Sequence, residues 1–142
     1  MKPNLGYYVQ KISNVIQDTE DMGESMHPCY EEIRTAIDNE HVEEISPERL
    51  SEIAATFAEG TQKYEAMLVT IKGLRPPARV MGIHKKLENA YSEYVAGCQE
   101  MVASVTDTVN PATFNAAEDK QDKATDAISF AFQRMSSLLL KR

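Results

Sequence analysis

From Leu5 to Leu138, mostly apolar side chains recur at steps of three and four residues, and the phase is broken at three places. That spacing lays one apolar stripe along a helix, and no stretch of alternating apolar and polar residues competes for a strand reading. Four of the six prolines mark the breaks: Pro47, the pair Pro76-Pro77, and Pro111. The chain therefore divides into four amphipathic segments of about 27 to 35 residues. No internal repeat or linker-like stretch divides it further.

The first stripe runs through Leu5, Val9, Ile12, Ile16, Met22, Met26, Tyr30, Ile33 and Ile37, with Thr19 in its one gap. Pro28 falls inside it and removes one backbone hydrogen bond, at a cost of about 3 kcal/mol in a helix interior. Because the stripe keeps its phase across Gly23 and Pro28, the expectation is one kinked helix over 5–39 rather than two helices and a loop. Ser46-Pro47-Glu48 opens the second segment: a hydroxyl to cap the first amides, a proline at the first helical position, an acid in the first turn. Its stripe is Leu50, Ile53, Phe57, Thr61, Tyr64, Met67 and Ile71, ending at Gly73. The third carries Val80, Ile83, His84, Leu87, Tyr91, Tyr94, Cys98, Val102 and Val105. Asn110-Pro111 ends it and caps the fourth, whose stripe is Phe114, Ala117, Gln121, Ala124, Ile128, Ala131, Met135 and Leu138.

Four such stripes joined by short connections close on one another as an all-α, antiparallel up-down-up-down four-helix bundle about 45 Å long. The 142 residues, 42% of them apolar, suffice for one such domain over 1–142. The longest nearly unbroken apolar run, 127–132, is far short of the roughly 18 residues of a membrane span. The opening MKPNLGYYVQ lacks the apolar stretch and cleavage site of a signal peptide. The expectation is a cytoplasmic chain as it stands, or an extracytoplasmic one if a leader has been removed. Two cysteines are too few for a disulfide scaffold and leave the redox compartment open. Oligomeric state stays open between monomer and homodimer.

Residues 1–50 hold 11 acidic against 4 basic side chains, and residues 51–142 hold 11 of each, so the whole formal charge of −7 lies in the first segment. Such a balance argues against a nucleic-acid binder that works by neutralising phosphates. In the bundle, the chain start, the corner at Pro76-Pro77 and the chain end meet at one end, gathering Lys2, Lys11, Lys72, Arg75, Arg79, Lys85, Lys86, Arg134, Lys141 and Arg142. The opposite end gathers Glu31, Glu32, Asp38, Glu40, Glu43, Glu44, Glu48, Glu118, Asp119 and Asp122. Helix dipoles favour bases at the carboxyl ends of the second and fourth helices, but Lys2, Arg75 and Arg79 lie near amino termini, where a positive charge is mildly unfavourable. Lys72, Arg75, Arg79, Lys85 and Lys86 are therefore candidate contacts to an anionic surface.

Glu24 and His27 have the Glu-x-x-His spacing of di-iron bundles, but no second copy follows in the other segments. His27, Cys29 and Cys98 come to similar heights in the bundle, so with Glu24 they form the candidate metal or ligand set. A disulfide is not expected, because the first and third helices are diagonal and disulfide Cβ atoms must approach to about 4 Å. His84 is read as a buried polar residue. The alternative, a histidine phosphotransfer domain, is disfavoured by Glu88 and Asn89 at the spacings where such domains place a lysine and then a small residue or glycine. No Gly-rich phosphate loop, paired-cysteine zinc spacing or catalytic triad order is present, so the expectation is a non-catalytic chain without a cofactor.

Leu68 and Ile71, then Leu74-Arg75-Pro76-Pro77, then His84, Leu87, Ala90, Tyr91 and Tyr94, resemble the L-x-x-P…H-x-x-L-x-x-A-x-x-x-Y segment of uncharacterised bacterial helical-bundle proteins. Many of those are predicted cell-surface lipoproteins. The resemblance covers about 30 residues and implies a bundle and an extracytoplasmic home, with no activity or catalytic residues attached. The functional expectation is a binding protein whose basic end engages an anionic membrane or an acidic protein partner. The second reading is a small-molecule or metal carrier that uses the bundle interior.

Overall fold

The computed structural model describes residues 5–140. It holds four long helices: α1 (Leu5–Asp38), α2 (Pro47–Gly73), α3 (Met81–Val105) and α4 (Pro111–Leu140). They run up, down, up and down as an antiparallel bundle, with short 3₁₀ turns at Val42–Glu44 and Ala78–Val80 in the first two connections. The caps are those the sequence announces. Ser46 accepts a hydrogen bond from the Arg49 amide at 3.1 Å, and Asn110 accepts one from the Thr113 amide at 3.0 Å. α1 passes through Pro28 without a break. It ends in a Schellman motif, with His41 N–H on the Ala36 carbonyl (2.7 Å) and Glu40 N–H on the Ile37 carbonyl (3.2 Å). Glu40 therefore takes φ 57°, a left-handed conformation that glycine usually supplies.

The buried stripes of α2 and α4 follow the periodicity, but the start of α1 is rotated from it. Tyr8, Ile12 and Val15 are buried, whereas Leu5 and Val9 are about 40% exposed (41% and 39%). The reason is Tyr8, whose hydroxyl reaches across the bundle to His84 on α3 and Met135 on α4.

α3 and α4 pack closest, and their composition explains it. Ala90, Gly97 and Ser104 recur every seven residues on α3, as do Ala117, Ala124 and Ala131 on α4, and all six are buried. Run antiparallel, they form a seam of small residues that lets two backbones approach. At Gly97 the approach leaves no room for a side chain: a Cβ would lie 2.9 Å from Gln121 Cγ and 3.3 Å from the Gln121 backbone nitrogen. The Gln121 amide instead donates to the Gly97 carbonyl at 3.1 Å.

α1 is held differently, by long side chains that bridge to its neighbours. Tyr8 bonds His84 (2.7 Å), and the Thr19 hydroxyl bonds that of Tyr91 (2.6 Å). Arg49 on α2 grips Glu32 through Nε and Nη2 at 2.8–3.1 Å. Arg34, lying over the Phe114 ring, bonds Glu118 and Asn115 on α4.

The apolar interior is in two parts. One, toward the corner at Pro76-Pro77, contains Tyr8, Ile12, Tyr64, Ile71, Leu87, Tyr91, Cys98 and Met135. The other, toward the α1–α2 and α3–α4 connections, contains Ile33, Ile53, Phe57, Met101, Val105 and Phe114. Among the described residues no helix is long and apolar enough to cross a membrane.

Candidate functional site

Two features stand out from the bundle frame, one at its end and one at mid-height. At the end, Lys72 closes α2, Arg75 and Arg79 occupy the corner, and Lys85 and Lys86 follow on the first turns of α3; all five are exposed. Arg134, near the end of α4, is exposed at the same end. Between residues 66 and 92 the sequence offers one carboxylate, Glu88. Lys85 Nζ donates to it at 2.9 Å, and this bond holds the Glu88 carboxyl below the usual range. Met81, in the middle of this basic stretch, is 57% exposed. Lys11 lies over the Tyr7 ring at 5.5 Å. Lys2, Lys141 and Arg142, which the charge reading also assigns to this end, lie outside the described residues.

His84 sits just inside the basic end, and its ring is buried. Nε2 lies 3.1 Å from the Ile71 carbonyl and Nδ1 2.7 Å from the Tyr8 hydroxyl. A carbonyl only accepts, so Nε2 carries the proton and Nδ1 accepts from Tyr8. Burial pushes the His84 pKa down, which keeps this neutral tautomer. With both nitrogens engaged, the ring offers no free nitrogen to a phosphoryl group.

At mid-height, where the two halves of the core meet, lies a cavity of about 140 Å³. All four helices line it: Gly23, Met26, His27 and Tyr30 from α1, Phe57, Thr61 and Tyr64 from α2, Tyr94, Cys98 and Met101 from α3, and Gln121 from α4. His27 at the rim is exposed, stacks on Tyr30 at 5.8 Å and pairs with Glu31 at 3.4 Å. The structure thus brings His27 and Cys98 to one cavity and leaves Glu24 and Cys29 outside it. Glu24 is exposed, and the Cys29 thiol packs against the other half of the core. Both thiols are free. Among the described residues no group of three or more His, Cys, Asp or Glu side chains is placed to hold a metal ion.

The lining is neutral inside the rim. Burial pushes the Cys98 thiol up to about 12 and the Tyr64 phenol up to about 12, so neither ionises near neutral pH. Most polar groups of the lining are already engaged. Thr61 donates to the Phe57 carbonyl at 2.7 Å, Gln121 to Gly97, and the Tyr30 hydroxyl to Glu118, whose carboxyl burial pushes upward. Tyr64 Oη and the Tyr94 phenol are less well engaged. Tyr64 Oη is fully buried and makes no hydrogen bond of normal geometry, its contact with the Tyr94 phenol, whose ring stands edge-on at 5.0 Å, being a loose one.

Sequence reasoning finds the basic end and His84, because both follow from chain order and periodicity. It misses Tyr64, Gly23 and Gln121 as cavity residues; a glycine kept in the middle of α1 is the one signal that points there. No protein-family model, curated protein or solved structure matches the chain.

Proposed function

We propose that the protein is a non-catalytic binding bundle whose basic end meets an anionic bilayer surface. The observation that carries this reading is the segregation of charge. Lys72, Arg75, Arg79, Lys85 and Lys86 stand exposed around Met81, and the one carboxylate in that stretch is committed to Lys85. Each cation held close to an anionic leaflet contributes about 1 kcal/mol, and an exposed methionine adds apolar contact below the headgroups. The acidic opposite end orients the molecule, since it is repelled by the surface that attracts the corner. The resemblance of residues 68–94 to bacterial surface bundles points in the same direction.

Sedimentation with vesicles of phosphatidylcholine, with and without about one-third phosphatidylglycerol, tests it. The protein is expected to pellet with the anionic vesicles at low ionic strength and to be released as salt screens the attraction. Reversing Arg75 and Arg79 to Glu is expected to weaken the association at least about tenfold, given roughly 1 kcal/mol per lost cation and the added repulsion. Protein that stays in the supernatant with anionic vesicles at low salt sinks the proposal.

A further inference from the structure

The mid-height cavity supports a second site, which does not depend on what the basic end does. We infer that it binds a small, neutral, single-ring aromatic molecule carrying one oxygen that accepts a hydrogen bond from Tyr64.

Size sets the first limit. A cavity of about 140 Å³, open at its rim, has about the size of the roughly 150 Å³ enclosed space that accommodates a benzene ring in an apolar protein interior. The walls set the second. Phe57, Tyr30, Tyr64 and Tyr94 present aromatic faces and edges, and Met26 and Met101 present polarisable thioethers that pack favourably against a ring. Charge sets the third. Inside the rim nothing is ionised near neutral pH, so an anion or cation there would be desolvated without a partner.

The hydroxyl of Tyr64 supplies the polar requirement. A buried donor without a well-placed partner is destabilising, and the polar side chains of Thr61 and Gln121 have partners within the fold. A ligand oxygen facing Tyr64 Oη would recover that cost.

Gly23 supplies an independent argument. Glycine inside a helix is destabilising relative to alanine. A Cβ at this position would meet nothing closer than Tyr64 Oη at 3.8 Å, an ordinary contact, so packing does not forbid a side chain. Gly23 leaves the Tyr64 hydroxyl covered on this side by helix backbone alone, and a side chain larger than alanine would press on it. Gly60 differs, because a Cβ there would fall 2.3 Å from Met26 Sδ. Gly23 and Tyr94 also line a neighbouring groove with Thr125, Ile128 and Phe132.

The test titrates phenol and toluene, rings of equal size that differ in the oxygen, into the unmodified protein. Phenol is expected to give intermolecular nuclear Overhauser effects to the Met26 and Met101 methyls and to raise the melting temperature. Tyr64→Phe is expected to weaken phenol about tenfold, the worth of one buried hydrogen bond, and to leave toluene unchanged. Gly23→Leu, which fills the space, is expected to abolish both while circular dichroism still reports a helical fold. Absence of any ring-to-methyl effect at millimolar phenol overturns the site. So does equal phenol affinity in Tyr64→Phe, or phenol binding that survives Gly23→Leu. The methyl contacts are read on unmodified protein, so the proposal remains testable if Gly23→Leu fails to fold.

Discussion

His84 shows how one side chain can tie three helices and a titration to stability. Its ring joins Tyr8 on α1 to the Ile71 carbonyl on α2 from a position on α3. Burial lowers its pKa below the ordinary 6.5, so as pH falls the unfolded chain takes up the proton first. The contribution is therefore complete above about pH 6.5 and is lost progressively as pH falls below it. Urea midpoints measured from pH 8 to pH 5 are expected to decline below that point in the wild type, and to decline less in His84→Gln. Parallel curves for the two proteins would refute the assignment. The sequence makes His84 legible as a buried polar residue because it shares a stripe with Leu87 and Tyr91. Its partners are not legible, since Tyr8 lies one residue off the expected stripe of α1. Tyr64 escaped for a related reason: an aromatic at helical spacing looks like core until the height of its hydroxyl is known.

The four helices themselves are almost fully written in the chain, through the caps Ser46-Pro47 and Asn110-Pro111 and the period of three to four. Pro28 does not divide α1, because the apolar phase on either side keeps both halves against the same partners. The end of α1 carries no glycine, so its Schellman turn at Glu40 has no sequence marker. The seven-residue recurrence of small residues on α3 and α4 was present in the sequence, yet only pairing the two helices gives it meaning. Two glycines on α3 make that seam testable. A Cβ on Gly82 would meet nothing within 4 Å, so Gly82→Ala should stabilise by up to about 0.5–1 kcal/mol through backbone entropy. Gly97→Val should destabilise by roughly 1–3 kcal/mol, because it forces α3 from α4 at Gln121. Thermal or urea unfolding of the two variants measures both, and equal effects of the same sign would count against the seam.

Over the whole molecule, charge and packing are both unevenly distributed. The charge separation follows from chain order alone, whereas the division of the core into two parts requires knowing which side chains meet at mid-height. The packing is dense where α3 meets α4 and looser around α1, which is held through long side chains. Amide hydrogen exchange is accordingly expected to be slowest around 90–104 and 117–131 and fastest in α1; comparable protection in α1 would contradict this. The α3–α4 seam also bears on synthesis. Its two helices are separated by only residues 106–110, so they form a local hairpin with a small loop-closure cost. As the chain is made from amino to carboxyl end, α1 emerges before α2, against which it packs, and well before α4, which receives its Tyr8 and Arg34. Until those partners emerge part of the apolar stripe of α1 is uncovered, and the 11 acidic residues of 1–50 would set neighbouring nascent chains against one another by like-charge repulsion.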